Sequence, residues 1–268
     1  MKFFRKILVL SFLVILAVLV LNQYLPKEQP LNEVLPQTVI TDKNISFAVI
    51  SDIHSDYQNL QKVLDKINND KMDFVIVAGD LSTVGALSEL KKVKTILDQS
   101  NLTYYVIPGN HDYYQKTKLT NYYQEVYRSS YESFQINKTR FILIDNASSV
   151  DQTQSDWIDQ QIVDCPKLYC LVFAHMPLNH EYLAHIMGED NEITAEQADL
   201  LVKKFTDYKI QKLYAGHIHY LSDYEFEGLK TRTDGAVFTN KNTTPSRFVE
   251  VTVSQPDFKL TEQEVWIE

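Results

Sequence analysis

The chain has 268 residues, 44% of them hydrophobic and 23% charged, which suits one well-buried domain or at most two and excludes a disordered or low-complexity protein. Lys2, Arg5 and Lys6 precede an apolar N-terminal run, and the remainder sets 23 of the 26 Lys and Arg against all 35 Asp and Glu. So acidic a balance argues against a nucleic-acid surface, which needs clustered cations, yet it can still take a phosphate where metal ions supply the positive charge.

In chain order, the first feature is the run Ile7 to Leu21, broken only by Ser11. Residues 1–25 are expected to form a membrane anchor or signal segment. The small residues of a cleavage site are missing after the run, so an uncleaved anchor is preferred; cleavage would give a secreted protein. Basic residues before the run and Glu28, Glu33 and Asp42 after it place the bulk of the chain outside the cytoplasm. The Pro-spaced stretch LPKEQPLNEVLPQ makes residues 26–44 a linker, which leaves 45–268 as the folded domain.

Strand and helix signals then alternate. ISFAVIS is a short β-branched run, hence a strand, and YQNLQKVLDKIN carries Leu60, Val63, Leu64 and Ile67 at helical spacing. DFVIVAGD, TYYVIPGNHD, SFQI, RFILID, LYCLVFAH and KIQKLYAG are strands; ALSELKKVKTILDQ, QSDWIDQQIV and TAEQADLLVKKF are helices, the last opening on a capping box from Thr194 to Gln197. From Tyr220 onward the pattern is strand after strand: YEFEG, LKTRTDG, RFVEVTV and KLTEQEVWIE. Early alternation and late strands predict an α/β domain with two packed sheets and helices outside, its site at the carboxyl ends of the strands. Cys165 and Cys170 are separated by a stretch that would hold them apart if extended, so free thiols are expected unless Pro166 turns the chain.

Those carboxyl ends carry the chemistry. They deliver Asp52 and His54, then Asp80, then Asn110, His111 and Asp112, then His175, then His217 and His219. Five of the seven histidines lie in these five loops, and three of the seven glycines, Gly79, Gly109 and Gly216, stand immediately before a candidate ligand, where a backbone must turn sharply or approach closely. One such loop could be a satisfied polar strand end; five together point to metal. Oxygen and nitrogen donors without thiolate suit Mn, Fe, Zn or Ni. The donors outnumber what one ion takes and suit two ions sharing a carboxylate.

The series Asp52-Ile-His54, Gly79-Asp80, Gly109-Asn110-His111-Asp112, His175 and Gly216-His217-Ile-His219 resembles the calcineurin-like metallophosphoesterases over roughly residues 46 to 220. ILIDN and QSDWIDQQIV also look like bacterial members. The resemblance implies a four-layer sandwich of two mixed β-sheets flanked by helices. It implies one ion on Asp52, His54 and His219, a second on Asn110, His175 and His217, and Asp80 bridging them. It further implies two divalent or trivalent ions, Mn or Fe before Zn, and hydrolysis of a small phosphomonoester or phosphodiester by a metal-bound water or hydroxide. His111 would be general acid or donor to the phosphoryl group, oriented by Asp112, with Asn110, His111 and Tyr113 meeting the substrate. One departure stands out: the protein-phosphatase branch has an arginine after this aspartate, whereas this chain reads GDLSTVG.

Other features stay open at this level. Six of the sixteen tyrosines fall between Tyr113 and Tyr131; Tyr123, Tyr127 and Tyr131 have the spacing of a helix face on the core, while Tyr113 and Tyr114 suit a pocket rim. His180 and His185 lie in a long connection after His175 and could reach a leaving group from a lid. The alternative to an enzyme is an anchored, non-catalytic receptor that holds a phosphorylated ligand in the same pocket. A proton donor at His111 favours the enzyme, since a binder has no use for one.

Overall fold

In the computed structural model, residues 43–114, 121–180, 182, 184–234, 236–239 and 244–268 are described. The expected N-terminal anchor and nearly all of the linker lie outside them. Among the described residues no helix is long and apolar enough to cross a membrane.

Alternation along the strands builds three core layers. In β1 (Ile45–Ile50), Phe47 and Val49 face one way and Ala48 and Ile50 the other, as the two-residue period of a strand requires. β2 (Phe74–Ala78) repeats the division, with Phe74, Ile76 and Ala78 opposed to Val75 and Val77. The Phe47 side meets the matching side of a second sheet, where Phe141, Leu171 and Phe173 of β5 (Thr139–Leu143) and β6 (Tyr169–Phe173) complete an aromatic middle layer. The rings of Phe47 and Phe74 stack at 5.2 Å and meet Phe141 edge-on at 5.3 Å.

Helices cover the outer faces. α1 (Tyr57–Asn69) buries Leu60, Val63, Leu64 and Ile67, the residues its spacing predicts, and α2 (Leu87–Gln99) buries Leu90, Val93, Ile96 and Leu97 beside it. On the second sheet, α4 (Gln152–Ile162) contributes Ile158 and Ile162, and α5 (Glu192–Asp207) contributes Ala198, Leu201, Val202 and Phe205. The short α3 (Tyr122–Tyr127) buries Tyr123 and half-buries Tyr127; Tyr131 lies past its end and packs on Trp157.

With β3 (Tyr104–Ile107), β4 (Glu132–Ile136), β7 (Lys212–Ala215), β8 (Ser222–Phe226), β9 (Leu229–Thr233), β10 (Arg247–Val253) and β11 (Leu260–Trp266), the sheets run β11-β10-β1-β2-β3 and β4-β5-β6-β7-β9-β8. β1, β2 and β3 are parallel, as are β5, β6, β7 and β9; the other pairings are antiparallel, so both sheets are mixed. The late strands do not form one meander. The β8–β9 hairpin closes the second sheet, and the β10–β11 hairpin returns to lie against β1 in the first.

Two local expectations need correction. α5 begins three residues earlier than the capping box suggested: Asn191 is its cap and accepts from the backbone N–H groups of Ile193 and Thr194 at 3.0 and 3.3 Å. Gln197 instead clamps Val150 through both its carbonyl and its N–H. Cys165 and Cys170 form a disulfide rather than standing as free thiols. A 3-10 turn over Cys165–Lys167, opened by Pro166, brings their Cα atoms to 5.6 Å.

Candidate metal centre

The parallel strands end together, and backbone hydrogen bonds lace their loops. Asp52 N donates to Gly79 O at 3.1 Å, Ile53 N and His54 N both donate to Asp80 O, and Gly216 N donates to His175 O at 2.9 Å. The glycines are there for space. A Cβ on Gly109 would lie 2.0 Å from Asp80 Oδ1, and one on Gly79 would lie 2.4 Å from His175 Nδ1; Gly79 also has φ of +90°.

Two donor groups result. Asp52, His54, Asp80 and His219 each aim one atom into a cluster no more than 4.8 Å across, and Asp80, His175 and His217 form a second of the same size. Asp80 belongs to both. In the first group His54 Nε2 and His219 Nε2 lie 3.2 Å apart, with His219 Nε2 3.2 Å from Asp52 Oδ1 and His54 Nε2 3.4 Å from Asp80 Oδ2. In the second, His175 Nε2 lies 3.1 Å from Asn110 Oδ1 and 3.3 Å from Asp80 Oδ1. The aspartates and His175 are buried.

The donor set fits cations. His175 Nδ1 faces the Ala78 carbonyl at 2.9 Å; a carbonyl only accepts, so Nδ1 carries a hydrogen and Nε2 is left facing Asp80, where it donates when protonated and offers a lone pair to a cation once that proton is lost. Without a metal, protons substitute. Burial lowers the affinity of His175 for a proton, but the charge and hydrogen bond of Asp80, then Asp52 and the Ala78 carbonyl, outweigh it and push it up to about 9. Burial and the neighbouring His175 charge push His217 down to about 4. Burial raises Asp52, but the hydrogen bond from His219 and the fields of three histidines overcome it and hold its carboxyl well below the usual carboxylate range. Ligands that converge in this way bind a cation by giving up a proton.

The backbone is bent to achieve this. Asp52, His54, Asp80, His217 and His219 all have positive φ, from 44° to 69°. The left-handed region is uncommon outside glycine and costs roughly 1–3 kcal/mol per residue, so such clustering marks a site whose surroundings enforce it.

His111 stands beside this centre. Its ring meets that of His54 at 4.5 Å edge-on and that of Tyr114 at 4.5 Å, and its Nδ1 lies 2.7 Å from Thr83 O. Thr83, not Asp112, therefore orients the ring. Asp112 is buried and accepts from Leu81 N, Ser82 N, Ser82 Oγ and Gly109 N, which clamps the Asp80 loop to the Asn110 loop. Burial and the Asp80 charge push it up to about 6 against those hydrogen bonds. Tyr113 turns inward, donating from its hydroxyl to Asp145 Oδ2 at 2.6 Å, while Tyr114 is exposed at the rim.

His180 packs its ring on Tyr224 at 4.5 Å and lies 3.1 Å from Ser222 Oγ. His185 is exposed, pairs with Glu189 at 3.3 Å, and lines a cavity of about 460 Å³ that reaches Asn110 and His217. A second cavity, of about 580 Å³, opens beside His54, His111, His219, Phe238 and Thr239.

Sequence reasoning missed two supports. Asn146 is buried, and its Oδ1 accepts from His175 N at 2.9 Å and Met176 N at 3.0 Å. A polar residue ending the apolar run ILIDN was the available signal. Phe238 lays its ring against His54 at 4.4 Å and His219 at 4.9 Å, and nothing in its neighbourhood marks it.

The family model described as calcineurin-like phosphoesterase matches residues 45–221. A "Probable cyclic nucleotide phosphodiesterase" from Vesicomyosocius okutanii is 24% identical over 208 residues, covering 70% of this chain and 84% of that protein. A "Probable glycerophosphodiester phosphodiesterase" from Arcobacter nitrofigilis is 28% identical over 185 residues, covering 64% and 65%. Among solved structures, purple acid phosphatase from yellow lupin superposes with a TM-score of 0.61 at 14% identity, covering 84% of this chain and 52% of that one, so this chain spans about half its length. The match runs through all five strand-end loops that build the two donor groups, and the chain belongs to the calcineurin-like phosphoesterase family.

Proposed function

We propose that the chain hydrolyses small phosphodiesters at a two-metal centre. The observation that carries this is the pair of donor groups meeting at Asp80. Asp52, His54 and His219 would hold one ion and Asn110, His175 and His217 the other. When bound, the ions would neutralise the phosphoryl oxygens and activate a water. The protein's own part is to fix the donors through the bent backbone, to set the His175 tautomer through Ala78, and to place His111 Nε2 toward the leaving group through Thr83. The names of the two relatives support diesters over monoesters. Val84 stands where the protein-phosphatase branch would bring an arginine, which disfavours phosphoprotein.

The test is turnover by the detergent-purified full-length chain supplied with Mn²⁺, using bis(p-nitrophenyl) phosphate, p-nitrophenyl phosphate and a phosphoserine protein. Diester cleavage should dominate, and Asp80→Asn should lose bound metal by elemental analysis together with that activity. Binding of diester with no turnover of any substrate would favour the receptor reading. Normal turnover by Asp80→Asn with full metal content would refute the two-metal reading.

A further inference from the structure

The two donor groups are supported from different parts of the chain. Asn146 and Ala78 hold His175. The first group leans instead on residues after 221, where the family match ends. Val237 N and Phe238 N donate to Ser51 O and Asp52 O, both at 3.0 Å, and the Phe238 ring covers His54 and His219.

The central member of that support is Arg247, the buried first residue of β10. Its Nη2 donates to the carbonyl oxygen of His219 at 3.1 Å and its Nη1 to Thr244 Oγ1 at 2.6 Å. Its Nε lies 3.1 Å from Glu264 Oε1, and the guanidinium sits over the Trp266 ring at 4.9 Å. His219 has φ of 51°, so its carbonyl leaves the path of any strand ladder and must find another donor. A guanidinium can donate to that carbonyl and to Thr244 from two rigidly spaced nitrogens while its charge pairs with Glu264. A bare cation so near a site that gathers metal ions would oppose them; the Glu264 carboxylate offsets it.

We propose that Arg247 is a positioning residue for one metal position, that of Asp52, His54 and His219 with Asp80, acting through the His219 carbonyl. The proposal rests on the two-metal reading of the site and goes beyond it, because it makes the two positions separable. Arg247 touches no donor atom, so its loss should loosen one ion and spare the other.

The experiment is calorimetric titration of Mn²⁺ into metal-stripped full-length chain, detergent-purified, alongside metal-free melting. The parent should bind two ions. Arg247→Met, paired with Glu264→Gln to avoid leaving a lone carboxylate, should keep one step unchanged and weaken the other about 10- to 100-fold, the scale for removing an outer partner of a ligand. Arg247→Lys keeps the charge without the fork and should weaken the same step less, which preserves the test if the double variant folds poorly. Asn146→Ala should weaken the other step. Two unchanged steps in the Arg247 variants, or an equal loss of both with a matching fall in melting temperature, would overturn the proposal. A parent that binds fewer than two ions would overturn the two-metal reading itself, and this proposal with it.

Discussion

His111 presents one ring nitrogen to the site because the other is already committed. With Nδ1–H donated to Thr83 O, Nε2 is the atom that would meet a leaving group under the proposed reaction, at the edge of the cavity lined by His54, His219 and Phe238. An alkoxide needs a proton on departure and a nitrophenolate does not. His111→Ala should therefore lose about 10²- to 10⁴-fold in kcat on an alkyl diester and clearly less on bis(p-nitrophenyl) phosphate, the usual range for a positioned acid. Equal losses on both would move His111 to a phosphoryl-stabilising role. The residues of this centre were legible because each follows an apolar strand and few histidines lie elsewhere. Their supports were not. Thr83 acts through a backbone carbonyl that every residue has, Phe238 carries no chemistry of its own, and Asp112 was assigned to the wrong neighbour because adjacency in sequence is not adjacency in a turn.

α5 shows the same limit one level up. Its periodic face, Ala198, Leu201, Val202 and Phe205, was readable, and so was its existence. Its start was not, since Thr194 followed by Gln197 satisfies a capping pattern while Asn191 and a loop contact at Val150 take those roles in space. Asn191→Ala should destabilise the chain by about 1 kcal/mol, the usual cost of a lost cap, measured by denaturant unfolding. Thr194→Ala should cost less, because Thr194 Oγ1 only donates back to the Asn191 carbonyl; the reverse order would restore the original boundary. The strands were found in order for a simple reason: each is a short apolar run with a turn at its end. Their partition between sheets was not, because pairing of β9 with β7 and of β10 with β1 depends on contacts remote in sequence.

For the molecule as a whole, the acidic balance leaves carboxylates that fold into unfavourable places. Glu250, on β10, is pushed up to about 7 from an ordinary 4.5, first by burial and then by its hydrogen bond with Asp70 and the Asp70 charge. The folded chain then keeps a proton that the unfolded chain has given up, so stability present at low pH is lost as the pH rises from about 4.5 to about 7. Glu250→Gln imitates the protonated form at every pH. It should melt higher than the parent at pH 8 and at the same temperature near pH 4.5. An offset that does not change with pH would mean that the side chain acts by packing and not by ionisation.

The left-handed residues carry a warning for anyone who maps this candidate centre by mutation. In ordinary helical or extended backbone, glycine is the more damaging replacement and alanine the milder, by roughly 0.5–1 kcal/mol. At Asp52, His217 and His219 the order should invert, because alanine keeps a Cβ that the positive φ disfavours and glycine does not. A scan restricted to glycine would thus mix lost chemistry with relieved backbone strain. Paired Gly and Ala variants, compared by metal-free melting, separate the two, with the glycine member of each pair expected to be the more stable.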